Sequence, residues 1–150
     1  MKLIKSIIIL IYVFITFSQL YASVPDNILE NKKSIVTIYI NESNKNISSG
    51  SGFIIEPEGI IVTNYHVVSK TIDKNYTINA KTENGLFLIN GKIEKYDITN
   101  DIALIKFDAN NLNKIKINYN YEPKQGESIF VIGSPMGLEY TVSEGIISSI

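Results

Sequence analysis

His66 and Asp101 are the two residues of this 150-residue chain whose types and surroundings could do acid–base chemistry. His66 is the only histidine in the sequence. An imidazole that titrates near neutrality can take a proton from a hydroxyl, while a carboxylate sets its tautomer and stabilises the imidazolium that forms. A serine hydroxyl would complete such a set. Taken singly, His66 reads first as an ordinary half-buried histidine, and Asp101 as a turn residue at a strand start. Asp97, just upstream, is a rival carboxylate.

Both candidates have scaffold beside them. Gly59-Ile-Ile-Val-Thr leads into His66 and Ile102-Ala-Leu-Ile-Lys-Phe follows Asp101, so each is fixed at the end of an apolar strand rather than on a mobile tip. From Ser34 onward, short β-branched and aromatic runs alternate with Asn, Gly, Asp and Lys, the pattern of antiparallel strands. The spacing predicts strands over residues 34–40, 52–56, 59–63, 71–81, 86–96 and 102–107, enough for one small all-β barrel. Pro57-Glu-Gly suits the turn between the second and third strands. Residues 64–69 read as a single helical turn capped by Asn64, from which the imidazole projects. Ser49-Gly-Ser-Gly, taken alone, reads as a flexible linker.

Around this unit the organisation is simpler. Residues 23–33 read as a short helix or arm, residues 34–108 as the first barrel, and residues 109–126 as a connector with Ile115 and Ile117 against the core. Residues 127–150 start a second unit, with strands over 127–132 and 140–150 joined by Gly133-Ser-Pro-Met-Gly. Two strands cannot close a barrel, and Gly145-Ile-Ile-Ser-Ser-Ile would leave an apolar edge open.

Several blocks in fixed order carry a resemblance. They are Ser49-Gly-Ser-Gly-Phe-Ile-Ile, Gly59-Ile-Ile-Val-Thr-Asn-Tyr-His-Val-Val, Asp101-Ile-Ala-Leu-Ile-Lys, and Gly126-Glu-Ser-Ile-Phe-Val-Ile-Gly-Ser-Pro-Met-Gly-Leu followed by Thr141-Val-Ser-Glu-Gly-Ile-Ile-Ser-Ser-Ile. The sequence resembles trypsin-like serine proteases, and most closely their HtrA/Deg branch. The resemblance implies a six-stranded antiparallel barrel followed by the first two strands of an incomplete second barrel. It implies His66 as general base and Asp101, preferred over Asp97 because it directly precedes the Ile-Ala-Leu strand, as its orienting partner. It also implies no metal or organic cofactor, unfolded or extended polypeptide substrates, and a homotrimer in the full-length form. The family's nucleophile lies in a Gly-Asn-Ser-Gly-Gly-Pro block beyond the Gly-Ile-Ile-Ser-Ser-Ile strand. None of Ser128, Ser134, Ser143, Ser148 and Ser149 has glycines on both sides, so each lacks the flanking glycines of an oxyanion hole. The expectation is therefore an N-terminal fragment of a serine endopeptidase, inactive alone; the alternative is a catalytically dead, secreted peptide-binding module.

Composition narrows the classes further. Net charge is −1, and −3 without Lys2 and Lys5, so no basic field attracts nucleic acid. With no cysteine and one histidine, neither a disulfide framework nor a zinc site is expected. Residues 1–22 read as a secretory signal: Lys2 and Lys5, an apolar core, then Ser18-Gln-Leu-Tyr-Ala. Export to the periplasm or medium follows, with an uncleaved N-terminal anchor as the alternative. Three Asn-x-Ser/Thr matches, at Asn41, Asn46 and Asn75, are what chance gives in so asparagine-rich a chain.

Overall fold

The computed structural model describes residues 24–43, 45–134 and 140–150. The leader expected over 1–22 and much of the turn after Gly133 lie outside the described residues. Helix α1 (Val24–Lys32) is followed by β1 (Ile35–Glu42), β2 (Lys45–Glu56), β3 (Ile60–Thr63), the one-turn helix α2 (Tyr65–Val68), β4 (Thr77–Thr82), β5 (Phe87–Asp97) and β6 (Ile102–Lys106). The six strands close into an antiparallel barrel in the order β1-β2-β3-β6-β5-β4. Strands β7 (Ser128–Gly133) and β8 (Thr141–Ile146) form a separate two-stranded sheet. The fold is all-β, with the one small barrel that the strand pattern predicted and the two further strands that the resemblance implied.

Alternation explains the barrel. Val36, Ile38 and Ile40 of β1, Ile54 of β2, Ile61 of β3, Ile78 and Ala80 of β4, and Ala103 and Ile105 of β6 all point into one buried core with Phe107. A strand with period two can bury one face in this way, and each fully buried aliphatic side chain contributes about 1.5–3 kcal/mol. Thr37 departs from this alternation on β1, as Ile35 does: it lies on the other face and is nevertheless fully buried. Its cover is the second sheet: Thr37 Oγ1 donates to Ser134 Oγ at 2.7 Å.

Three expectations are corrected. Strand β2 begins at Lys45 rather than at Gly52, because the supposed linker at Ser49–Gly52 pairs along β1 from Tyr39 to Val36. The strand expected over 71–81 begins only at Thr77; before it, a 3-10 turn (Ser69–Thr71) continues α2, with Thr71 Oγ1 donating to Val68 O. In the connector, Leu112 rather than Ile117 joins the core, while Ile117 is exposed. The connector is tied down by its backbone, with Leu112 N–H donating to Pro57 O and Ile115 N–H to Ile54 O.

Candidate active site

The turn bearing His66 is seated on β2. A Cβ at Gly50 would stand 2.6 Å from Val67 Cγ2, inside any tolerable contact. Glycine here lets α2 sink onto the barrel, so that Val67 and Val68 become core residues while His66 faces outward. The imidazole is 72% exposed, and packing alone cannot orient it.

Asp101 supplies the orientation. Its Oδ1 accepts the His66 backbone N–H at 2.9 Å, and its Oδ2 lies 2.7 Å from His66 Nδ1. Its carbonyl oxygen accepts the Tyr65 N–H at 3.2 Å and the Asn64 side-chain amide at 3.1 Å. Asp101 holds a φ of 53°, a left-handed conformation that aspartate tolerates better than most residues. This twist lets one residue present both its carboxylate and its carbonyl to residues 64–66. The His66 N–H and then the imidazole hold the Asp101 carboxyl below the ordinary aspartate range, because hydrogen bonds to the charged form favour it.

The chemical consequence is a fixed tautomer. An ionised Asp101 can only accept, so the proton sits on Nδ1 and Nε2 is left as an acceptor. Among the described residues, no hydroxyl is hydrogen-bonded to that imidazole. A neutral imidazole with an open, basic Nε2 backed by a carboxylate can receive a proton from an incoming nucleophile.

Asp97, the rival carboxylate, is committed elsewhere. It accepts the backbone N–H of Asn100 at 3.0 Å and its side-chain amide at 2.7 Å. These contacts close the β5–β6 turn and draw the Asp97 carboxyl below the ordinary range as well. Ser134 is likewise a structural residue. It is 1% exposed, its Oγ also accepts the Tyr140 N–H at 3.2 Å, and its own N–H donates to Ser51 Oγ at 2.7 Å.

One expected role is corrected and one contributor went unnoticed in the sequence. Asn64 makes no side-chain cap of α2; its amide is turned to the Asp101 carbonyl instead. Gly50 was hidden in a run that reads as linker, and the signal available was glycine directly before an alternating Ser-Gly-Phe-Ile-Ile stretch. Among the described residues, no group of His, Cys, Asp and Glu could hold a metal ion, and no helix is long and apolar enough to cross a membrane.

Residues 50–150 match the family described as the trypsin-like peptidase domain. The chain belongs to the trypsin-like peptidase family. Among curated relatives, it is similar to the mitochondrial serine protease HTRA2 of Drosophila erecta, 39% identical over 102 residues, which are 68% of this chain and 24% of that protein. HTRA2 of Drosophila willistoni is 38% identical over 102 residues, again 68% of this chain and 23% of the relative. Among solved structures, the crystal structure of the serine endoprotease from Yersinia pestis matches with a TM-score of 0.76 and 34% identity, over 85% of this chain and 45% of that one. The similarity within the trypsin-like peptidases is thus to the HtrA type. The chain spans about a quarter of the length of the curated relatives it matches.

Proposed function

We propose that this trypsin-like chain supplies the acid–base half of a serine endopeptidase acting on unfolded or extended polypeptides. His66 Nε2 takes the proton from a serine hydroxyl as that oxygen attacks the peptide carbonyl carbon. Asp101 stabilises the imidazolium, which then gives its proton to the departing amine as the peptide bond breaks. Water attacks the acyl ester in the second half. His66 takes the water's proton and returns it to the serine oxygen, releasing the new carboxyl group. Among the described residues no serine hydroxyl is hydrogen-bonded to the imidazole, so the nucleophile is assigned to none of them.

The observation that carries this reading is the 2.7 Å contact between His66 Nδ1 and Asp101 Oδ2, with the backbone N–H of His66 on the second carboxylate oxygen. The reading extends to export through residues 1–22, supported by the charged start and apolar core of that segment. It also extends to a homotrimer, supported by the resemblance to HtrA-type proteases, and to an absence of nucleic-acid binding, supported by the balanced charge.

The test uses the complete gene product. Hydrolysis of a reduced, unfolded polypeptide and covalent labelling by a fluorophosphonate are measured with and without His66→Ala. Loss of kcat/KM by about 10⁴-fold or more, the response of this type of site to losing its base, is the expected result. Full labelling and turnover in the His66→Ala protein would overturn the assignment.

A further inference from the structure

The β5–β6 hairpin grips the His66 turn at two points. One is Asp101, through the hydrogen bonds already described. The other is Tyr96, whose ring stacks on that of Tyr65 with centroids 5.1 Å apart and planes 28° from parallel. Tyr96 stands opposite Ala103 in the β5–β6 register, and the Asp97–Asn100 contacts close the turn between Tyr96 and Asp101. The two grips therefore share one rigid base. Tyr65 meets both: its N–H donates to the Asp101 carbonyl, and its side chain lies on Tyr96.

We infer that the stacked pair Tyr65–Tyr96 is a positioning device that keeps the His66 imidazole in register with the Asp101 carboxylate. The physical need is clear from the exposure of the imidazole, 72%, which leaves its orientation to a single side-chain hydrogen bond and to the placement of a four-residue helix. A helix of one turn has little stability of its own. Backbone hydrogen bonds to Asp101 set the height of the turn, but rotation about them stays soft. An offset aromatic stack one residue before His66 resists that rotation. Tyr96 is 52% exposed and outside the core, so its ring is not needed to fill the barrel. Neither tyrosine touches the reacting atoms; the pair acts through His66.

This inference rests on the acid–base reading of His66, and its test needs no turnover. The whole polypeptide is labelled with ¹⁵N-histidine; because His66 is the sole histidine, its ring nitrogens report without overlap. At a pH where the imidazole is neutral, the ratio of the Nδ1–H to the Nε2–H tautomer measures how well Asp101 engages Nδ1. Asp101→Asn is the reference that removes the carboxylate and collapses the ratio. Tyr96→Ala is expected to lower the ratio about threefold or more, the scale of one lost stacked pair, while Tyr96→Phe, which keeps the ring, restores it. Should Tyr96→Ala unfold the barrel, Tyr65→Leu breaks the same stack from the other side.

A ratio unchanged in the ring-removed variant, with Asp101→Asn still lowering it, overturns the positioning role and leaves the acid–base reading standing. A ratio insensitive to Asp101→Asn overturns the pairing itself, and both readings with it.

Discussion

Gly50 and Val67 are packed so closely that a single added carbon would bring them within 2.6 Å, and this contact sets the depth at which the His66 turn sits. Gly50→Ala should therefore destabilise the barrel by about 1–3 kcal/mol through overpacking. Because Val67 is next to His66, the same change should also shift the imidazole signals. Urea midpoints and the histidine resonances check the two effects on one sample.

On the proposed acid–base reading, Asp101→Asn should lower kcat/KM of the complete gene product by about 10⁴-fold, since a neutral amide at this position permits the wrong imidazole tautomer. Asp97→Asn should cost less than about tenfold, because its carboxylate serves a turn and leaves His66 untouched. Steady-state kinetics on both variants distinguish the two carboxylates that the sequence left in competition.

The pH dependence follows from the lowered Asp101 carboxyl. A group whose pKa is lower in the folded chain than in the unfolded one stabilises the fold above its unfolded value, about 3.9 for aspartate. That contribution is lost as pH falls through the folded value. Unfolding midpoints of the parent should fall more steeply below about pH 4 than those of Asp101→Asn, in which this linkage is absent. Parallel curves for the two proteins would contradict the assignment.

Ser134→Ala should loosen the second sheet from the barrel. It removes the acceptor for both Thr37 Oγ1 and the Tyr140 N–H, and the loss at the fully buried Thr37 hydroxyl should cost about 1–3 kcal/mol. Amide exchange in β7 and β8 should accelerate more than exchange in β3 or β6. The exposed pair Lys116–Glu30, at 2.7 Å, offers a contrast: Glu30→Gln should leave the urea midpoint unchanged, as exposed ion pairs contribute little.

The strands that hold the dyad were legible because their physics is local. In Gly59–Thr63 and Ile102–Phe107, β-branched residues alternate between core and surface and are bounded by turn residues, so expectation and structure differ by about one residue. The first half of β2 was illegible for the opposite reason. Lys45 to Gly52 is polar and glycine-rich, and becomes a strand only because β1 stands ready to pair along it. The stretch before Thr77 failed differently: Thr71 reads as a strand former, yet its hydroxyl closes a helical turn on Val68. At the candidate site, residue types together with the resemblance pointed to His66 and Asp101, whose side chains the structure brings within 2.7 Å. The uses of Asn64, Gly50 and Tyr96 are tertiary, and each depends on which backbone lies opposite.

The contacts that orient His66 come from Gly50, Asn64, Tyr65, Tyr96 and Asp101, all within the first barrel. On the ribosome, the His66–Asp101 pair can accordingly assemble as soon as β6 has emerged, ahead of β7 and β8. An imidazole locked in one tautomer by its own barrel needs nothing from those later strands to be oriented, so the order of synthesis builds its geometry first.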